Sequence, residues 1–139
     1  MPSWILFAIL SALFAALVTV LAKIGLRGVD PNLATAIRTL VILALTWGIV
    51  FATGGHKGIA GIDKKALAFL ILSGLATGAS WLFYFHALRR GPTASVAAID
   101  KLSLAFVFII AVTLLGETFT WKTAISVALV AAGCIVMAL

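Results

Sequence analysis

Charge is scarce in this sequence. Lysine, arginine, aspartate and glutamate together make up 10% of 139 residues, where soluble domains carry about 25%. Hydrophobic residues make up 64%. A water-soluble fold of this length could not hide that much apolar surface, so a bilayer is the expected solvent. No polar stretch is long enough to fold alone, which excludes an extramembrane domain within the chain. Cysteine is nearly absent. Cys134 stands alone in the last apolar run, so an intrachain disulfide is excluded and no metal-binding spacing exists; it is read as a packing residue. Catalytic constellations are also missing. There is no plausible Ser-His-Asp set, no metal cluster and no phosphate loop. No enzyme activity, cofactor or metal is expected. The net charge of +6 would suit nucleic acid only on a basic, aromatic-studded soluble face. No such face exists, and the basic residues are read as loop cations at lipid headgroups.

What is present is a series of long apolar runs. A helix crossing the hydrocarbon core needs about 20 residues, and the chain offers five such runs, at about 4–22, 33–53, 66–88, 93–115 and 119–139. Membrane β-strands would alternate over about 10 residues, whereas these runs are continuous. The expected fold is therefore all-α, a single transmembrane domain of five helices. The first run is too long for a signal peptide and lacks a basic start, so it is expected to stay as a helix. The connections carry turn residues: Gly25, Gly28 and Asp30-Pro31; Gly54, Gly55, Gly58 and Gly61; Arg89-Arg90-Gly91-Pro92; and Gly116 to Lys122. In the last of these, Glu117, Thr118 and Thr120 are candidate caps for the fifth helix, and Glu117 is a candidate gate.

Five crossings put the two termini on opposite sides. The loops on the N-terminal face carry Lys57, Lys64, Lys65 and Lys122, and those on the other face carry Lys23, Arg27, Arg89 and Arg90. Because lysine and arginine bias sets orientation, this balance predicts a chain that inserts both ways and pairs with its own inverted copy. The alternative is that a weak bias still imposes one orientation.

Three charges fall inside spans: Arg38, Asp100 and Lys101. Each such group costs a few kcal/mol or more unless paired or hydrated. All three lie about 10–12 Å from the same face at 1.5 Å per residue. They read either as a structural ion pair between Asp100 and Arg38 or as the lining of a polar path. Two cations against one anion favour an anionic or zwitterionic ligand. The third run adds a polar face with Ser73, Thr77, Ser80, Trp81 and Tyr84 at helical spacing, and Gly74-x-x-x-Gly78 suits close helix approach. Trp4, Trp47 and Trp121 lie toward the N-terminal face as interfacial anchors, whereas Trp81 is interior. Ser103 lies one turn beyond the charges. His86 near the end of the third run and Asp100 are the candidate proton sites. Small-residue stripes occur at Ala8, Ala12 and Ala16 and at Ala124, Ala128 and Ala132, the latter a candidate dimer seam. Residues 28–38 and 91–101 share a spacing of glycine to intramembrane cation, a weak echo between two hairpins.

The run Ala87-Leu88-Arg89-Arg90-Gly91-Pro92, then Val96-Ala97-Ala98-Ile99-Asp100-Lys101-Leu102-Ser103, then Leu115-Gly116-Glu117 with Thr120-Trp121, resembles EamA-type members of the drug/metabolite transporter superfamily. The resemblance spans essentially the whole chain. Typical members have ten helices in two inverted five-helix halves, so this chain looks like one half and is similar to the short bacterial and archaeal branch, in which the Asp-Lys pair is common. The resemblance implies export or exchange of small metabolites across the inner, or plasma, membrane. It also implies a partner that supplies the other half: a second copy in antiparallel orientation, or a similar five-helix chain. Alternating access is the implied mechanism. The rival reading is a non-transporting membrane subunit that stabilises a larger complex.

Overall fold

In a computed structural model the chain is all-helical, and the structure describes residues 2–139. Helix α1 spans Ser3–Gly25, α2 Pro31–Ala52, α3 Lys64–Arg90, α4 Thr93–Asp100, α5 Ser103–Leu114 and α6 Trp121–Ala138, with a 3₁₀ turn at Gly55–Gly61. Five spans are long and apolar enough to cross a membrane, with α4 and α5 together forming the fourth. Large apolar side chains are exposed along every one of them, as expected where lipid rather than water surrounds the helices.

The helices divide into two compact units. One comprises Ile24–Arg89, and the other comprises α1 up to Lys23 together with Arg90–Leu139.

In the unit of Ile24–Arg89, aspartates start both long helices. Asp30 accepts from the backbone N–H of Asn32 at 2.9 Å and of Leu33 at 3.2 Å, and Pro31 occupies the first turn, where its missing N–H costs nothing. Asp63 accepts from Lys65 and Ala66 ahead of α3. Helix α2 ends at Thr53, and Gly54 follows in the left-handed region at φ 75°, which only glycine adopts without strain. The inward stripe of α2 runs through Pro31, Thr35, Arg38 and Ile42, and that of α3 through Gly78, Trp81, Phe85 and Leu88. Both follow the three-to-four spacing of one helix face. Phe85 and Leu88 are almost fully buried. Trp47, Phe51 and His56 form a ring cluster where α2 meets the 3₁₀ turn.

In the other unit α6 packs against α4 and α5. Its covered stripe is Ala124, Val127, Ala131 and Cys134, and Val96 is the buried residue of α4. Ala128 and Ala132, on the expected small-residue stripe, remain exposed. Cys134 is a buried packing residue with a free thiol. Two polar ties hold one end of this unit together. Lys23 Nζ donates to Gly91 O at 2.9 Å, and Ser95 Oγ donates to Met137 O at 3.0 Å. These bring the end of α1, the start of α4 and the end of α6 to one end, as alternate crossings require.

Candidate functional site

The fourth span differs from the expected continuous helix over 93–115. Helix α4 stops at Asp100 and α5 starts at Ser103. Around the gap the backbone rungs tighten to three-residue spacing: Lys101 N to Ala98 O and Leu102 N to Ile99 O, each 2.9 Å, then Leu104 N to Lys101 O and Ala105 N to Leu102 O, each 3.0 Å. Lys101 keeps right-handed dihedrals at φ −71°, ψ −9°, so the chain tightens into a 3₁₀ turn rather than reversing. Such turns in mid-helix mark hinges. No glycine or proline lies between Thr93 and Leu115. The break falls at the charged point of an otherwise uncharged span, where aspartate and serine compete with the helix for backbone hydrogen bonds.

The turn carries an ion pair. Lys101 Nζ lies 3.3 Å from Asp100 Oδ2, and the two side chains are 55% and 40% exposed on the chain by itself. Asp100 is the eighth residue of α4, about 10–12 Å from its start. Ser103, the first residue of α5, is exposed beside the turn. A pair placed so deep and left open needs protein or water over it, because lipid tails solvate neither charge. At the far end of α5, Gly116 turns the chain at φ 68°, and Glu117 N donates to Ala111 O at 3.1 Å. Of the three expected caps, Thr120 holds the N-cap position of α6, its Oγ1 accepting from Thr123 N at 3.3 Å.

The second charged element belongs to the other unit. Arg38 is half-buried on the inward stripe of α2. Its guanidinium lies 4.3 Å from the centre of the Trp81 ring and 5.2 Å from that of Phe85, both within cation–π range. Five consecutive crossings bring the start of α2 and the end of α3 to the same face, from which Trp81 lies about 13 Å deep along its helix. The closer ring is thus the deeper one, so the arginine head is held inside the span instead of snorkelling to the headgroups. Tyr84 is half-buried on the same helix, its ring 6.4 Å from that of Phe85. His86 Nδ1 is 2.8 Å from Leu82 O. A carbonyl only accepts, so Nδ1 is the donor in this contact.

The structure therefore groups Arg38, Trp81 and Tyr84 in one unit and Asp100, Lys101 and Ser103 in the other. Phe85, the second ring under Arg38, is an addition. It lies four residues after Trp81 and so shares its face, the one signal that could have marked it. Asp30 and Asp63 are additions of another kind. As caps they spend the only two carboxylates of the Ile24–Arg89 unit on backbone N–H groups. No group of three or more metal-ligating side chains exists among the described residues.

Five apolar spans, one of them broken at a charged turn, and a half-buried arginine on an aromatic bed define a multi-pass membrane protein with polar groups at membrane depth. Residues 2–139 match the EamA-like transporter family. A relative from Sinorhizobium sp. named as an uncharacterized transporter in the cobO 3' region is 48% identical over 136 residues, which cover 98% of this chain and 96% of the relative. The chain belongs to the EamA-like transporter family and is a membrane transporter. No solved structure matches it.

Proposed function

We propose that the protein is half of an inner-membrane transporter and works as an antiparallel pair of identical chains. It carries small polar or amphipathic metabolites outward by alternating access. Arg38, Asp100 and Lys101 are assigned to the substrate path, with Ser103, Trp81 and Tyr84 as its neutral lining. Asp100 and His86 are the proton-coupling candidates, and Glu117 is assigned to the turn that gates α6.

The observation that carries this reading is the open ion pair at the break in the fourth span. A discontinuous helix with charge at membrane depth is tolerated where it lines a cavity or is covered by protein. One chain leaves this pair 40–55% exposed, so a second protein surface or enclosed water supports it better than lipid does. The equal distribution of loop cations supports insertion in both orientations, which would supply an inverted copy without a second gene product.

The test is reconstitution of the pure protein in vesicles, with uptake of a metabolite panel followed with and without a pH gradient. Uptake that falls on Asp100→Asn and on Arg38→Gln, with helicity and pairing intact, is the expected result. Transport unchanged in both variants would remove these residues from the path. A purified protein that stays monomeric in lipid would remove the paired mechanism.

A further inference from the structure

We propose that Arg38 on its bed of Trp81 and Phe85 is an oxyanion-binding site, and that the cargo it receives is a small organic anion bearing a carboxylate. This deepens the transport reading and rests on it for the word cargo, though not for the site.

The argument is one of charge and geometry. The Ile24–Arg89 unit holds two carboxylates, Asp30 and Asp63, and both are engaged at helix starts. In the other unit, the carboxylate of Asp100 is matched by its neighbour Lys101 at 3.3 Å. Arg38 is thus left in the apolar layer with no carboxylate of its own unit. The ring contacts at 4.3 and 5.2 Å stabilise the charge of its planar guanidinium. They satisfy none of its five N–H donors, which point along the edge of that plane. Among the described residues of its unit no hydrogen bond or ion pair takes them. A guanidinium whose donors are unmatched within its unit, half-buried beside Trp81 on the inward stripe, fits a planar carboxylate, which accepts two parallel hydrogen bonds from it. Ammonium cargo would meet like charge there. A neutral amide would leave the guanidinium uncompensated. The apolar walls around the fork suit an anion whose remaining body is hydrophobic or aromatic. The same oxyanion chemistry is offered by a lipid phosphate, and the depth of the head at Trp81 favours a free anion over a headgroup.

Trp81 also serves as the reporter. Replacing Trp4, Trp47 and Trp121 by Phe leaves it as the one remaining tryptophan of four. This protein is placed in nanodiscs of zwitterionic lipid and titrated with benzoate, benzamide, benzylamine and inorganic phosphate, following Trp81 emission. The expected result is a saturable change with benzoate, at least tenfold weaker binding with benzamide, and none with benzylamine. Arg38→Lys keeps the charge and removes the fork; it should weaken benzoate binding at least tenfold while far-UV circular dichroism and pairing stay unchanged. Arg38→Gln should abolish it. Equal responses to benzoate and benzamide, or benzoate binding unaffected in Arg38→Lys, would overturn the proposal. A second set of discs containing phosphatidylglycerol separates the sources. If anionic lipid alone reproduces the change and benzoate adds nothing in either disc, the occupant is a headgroup and the free-anion claim fails. Radiolabelled benzoate uptake in vesicles keeps the two claims apart. Arg38-dependent binding without uptake leaves the anion site standing and sinks the transport reading. Uptake of other compounds that ignores Arg38, together with absent benzoate binding, leaves transport standing and sinks the site.

Discussion

Removing Asp100 while leaving Lys101 distinguishes a structural ion pair from a functional one. The pair lies about 10–12 Å into the span by helical rise, in a hydrocarbon core about 30 Å thick. An unpaired lysine at that depth against lipid costs about 3 kcal/mol, which is about 150-fold in an equilibrium at 1.36 kcal/mol per decade. If the pair faced lipid, Asp100→Asn would lower stability by that amount, and the uncharged double variant Asp100→Asn with Lys101→Met would recover it. If the pair lines a hydrated path, each charge has water and the single variant costs under about 1 kcal/mol, as exposed pairs do. Transport then bears the loss. A charge-assisted hydrogen bond to cargo is worth about 1.5–3 kcal/mol, so uptake should fall roughly ten- to a hundredfold in both the single and the double variant. The two assays are unfolding in mixed micelles titrated with a denaturing detergent and uptake in vesicles. The expected outcome is near-native stability with lost uptake. A strongly destabilised single variant, a rescued double variant and undiminished uptake would refute the assignment of the pair to the path.

Other consequences are simpler to measure. Leu88 is fully buried, so Leu88→Ala should destabilise by about 2–5 kcal/mol through lost packing and a residual cavity, read as an early transition in the same unfolding assay. Asp30→Ala removes the acceptor for the N–H groups of Asn32 and Leu33 and should cost about 1 kcal/mol; Asp30→Asn, which keeps an acceptor, should cost less. Gly54→Ala should cost about 1–2 kcal/mol, because a Cβ opposes the left-handed backbone at φ 75°, even though the space around it is open. Two lysines added in the loop beside Gly58 should convert mixed orientation into one, seen as a single signal from paired reporters fused at Leu139. A single orientation in the unaltered chain would remove the antiparallel self-pairing.

Much of the fold is legible in the sequence for one physical reason: a bilayer demands about 20 apolar residues per crossing, and this chain has few charges with which to obscure that period. The turns are legible too, because Gly25, Gly54, Gly116 and the Asp30-Pro31 and Gly91-Pro92 pairs announce themselves by residue type. The break at Lys101 is not. Sequence rules locate helix interruptions by glycine and proline, and the fourth span contains neither. Only the backbone rungs show that the charged dipeptide sits on a tightened turn. The bed beneath Arg38 is hidden for a different reason. Trp81 and Phe85 stand more than forty positions away in sequence, and a cation–π contact leaves no mark in spacing.

Counting charges pairs the intramembrane groups by sign alone, and so sets Asp100 against Arg38. Geometry changes the sum. Adjacent residues on an ideal helix point about 100° apart and do not face each other, which makes Asp100 and Lys101 poor partners on paper. The broken helix brings their side chains within 3.3 Å, and the pair becomes locally neutral. The remaining intramembrane cation is Arg38, whose guanidinium lies near two aromatic rings and meets no carboxylate of its own unit. That is why the anion preference, weak as a tally over three residues, becomes a specific claim about Arg38.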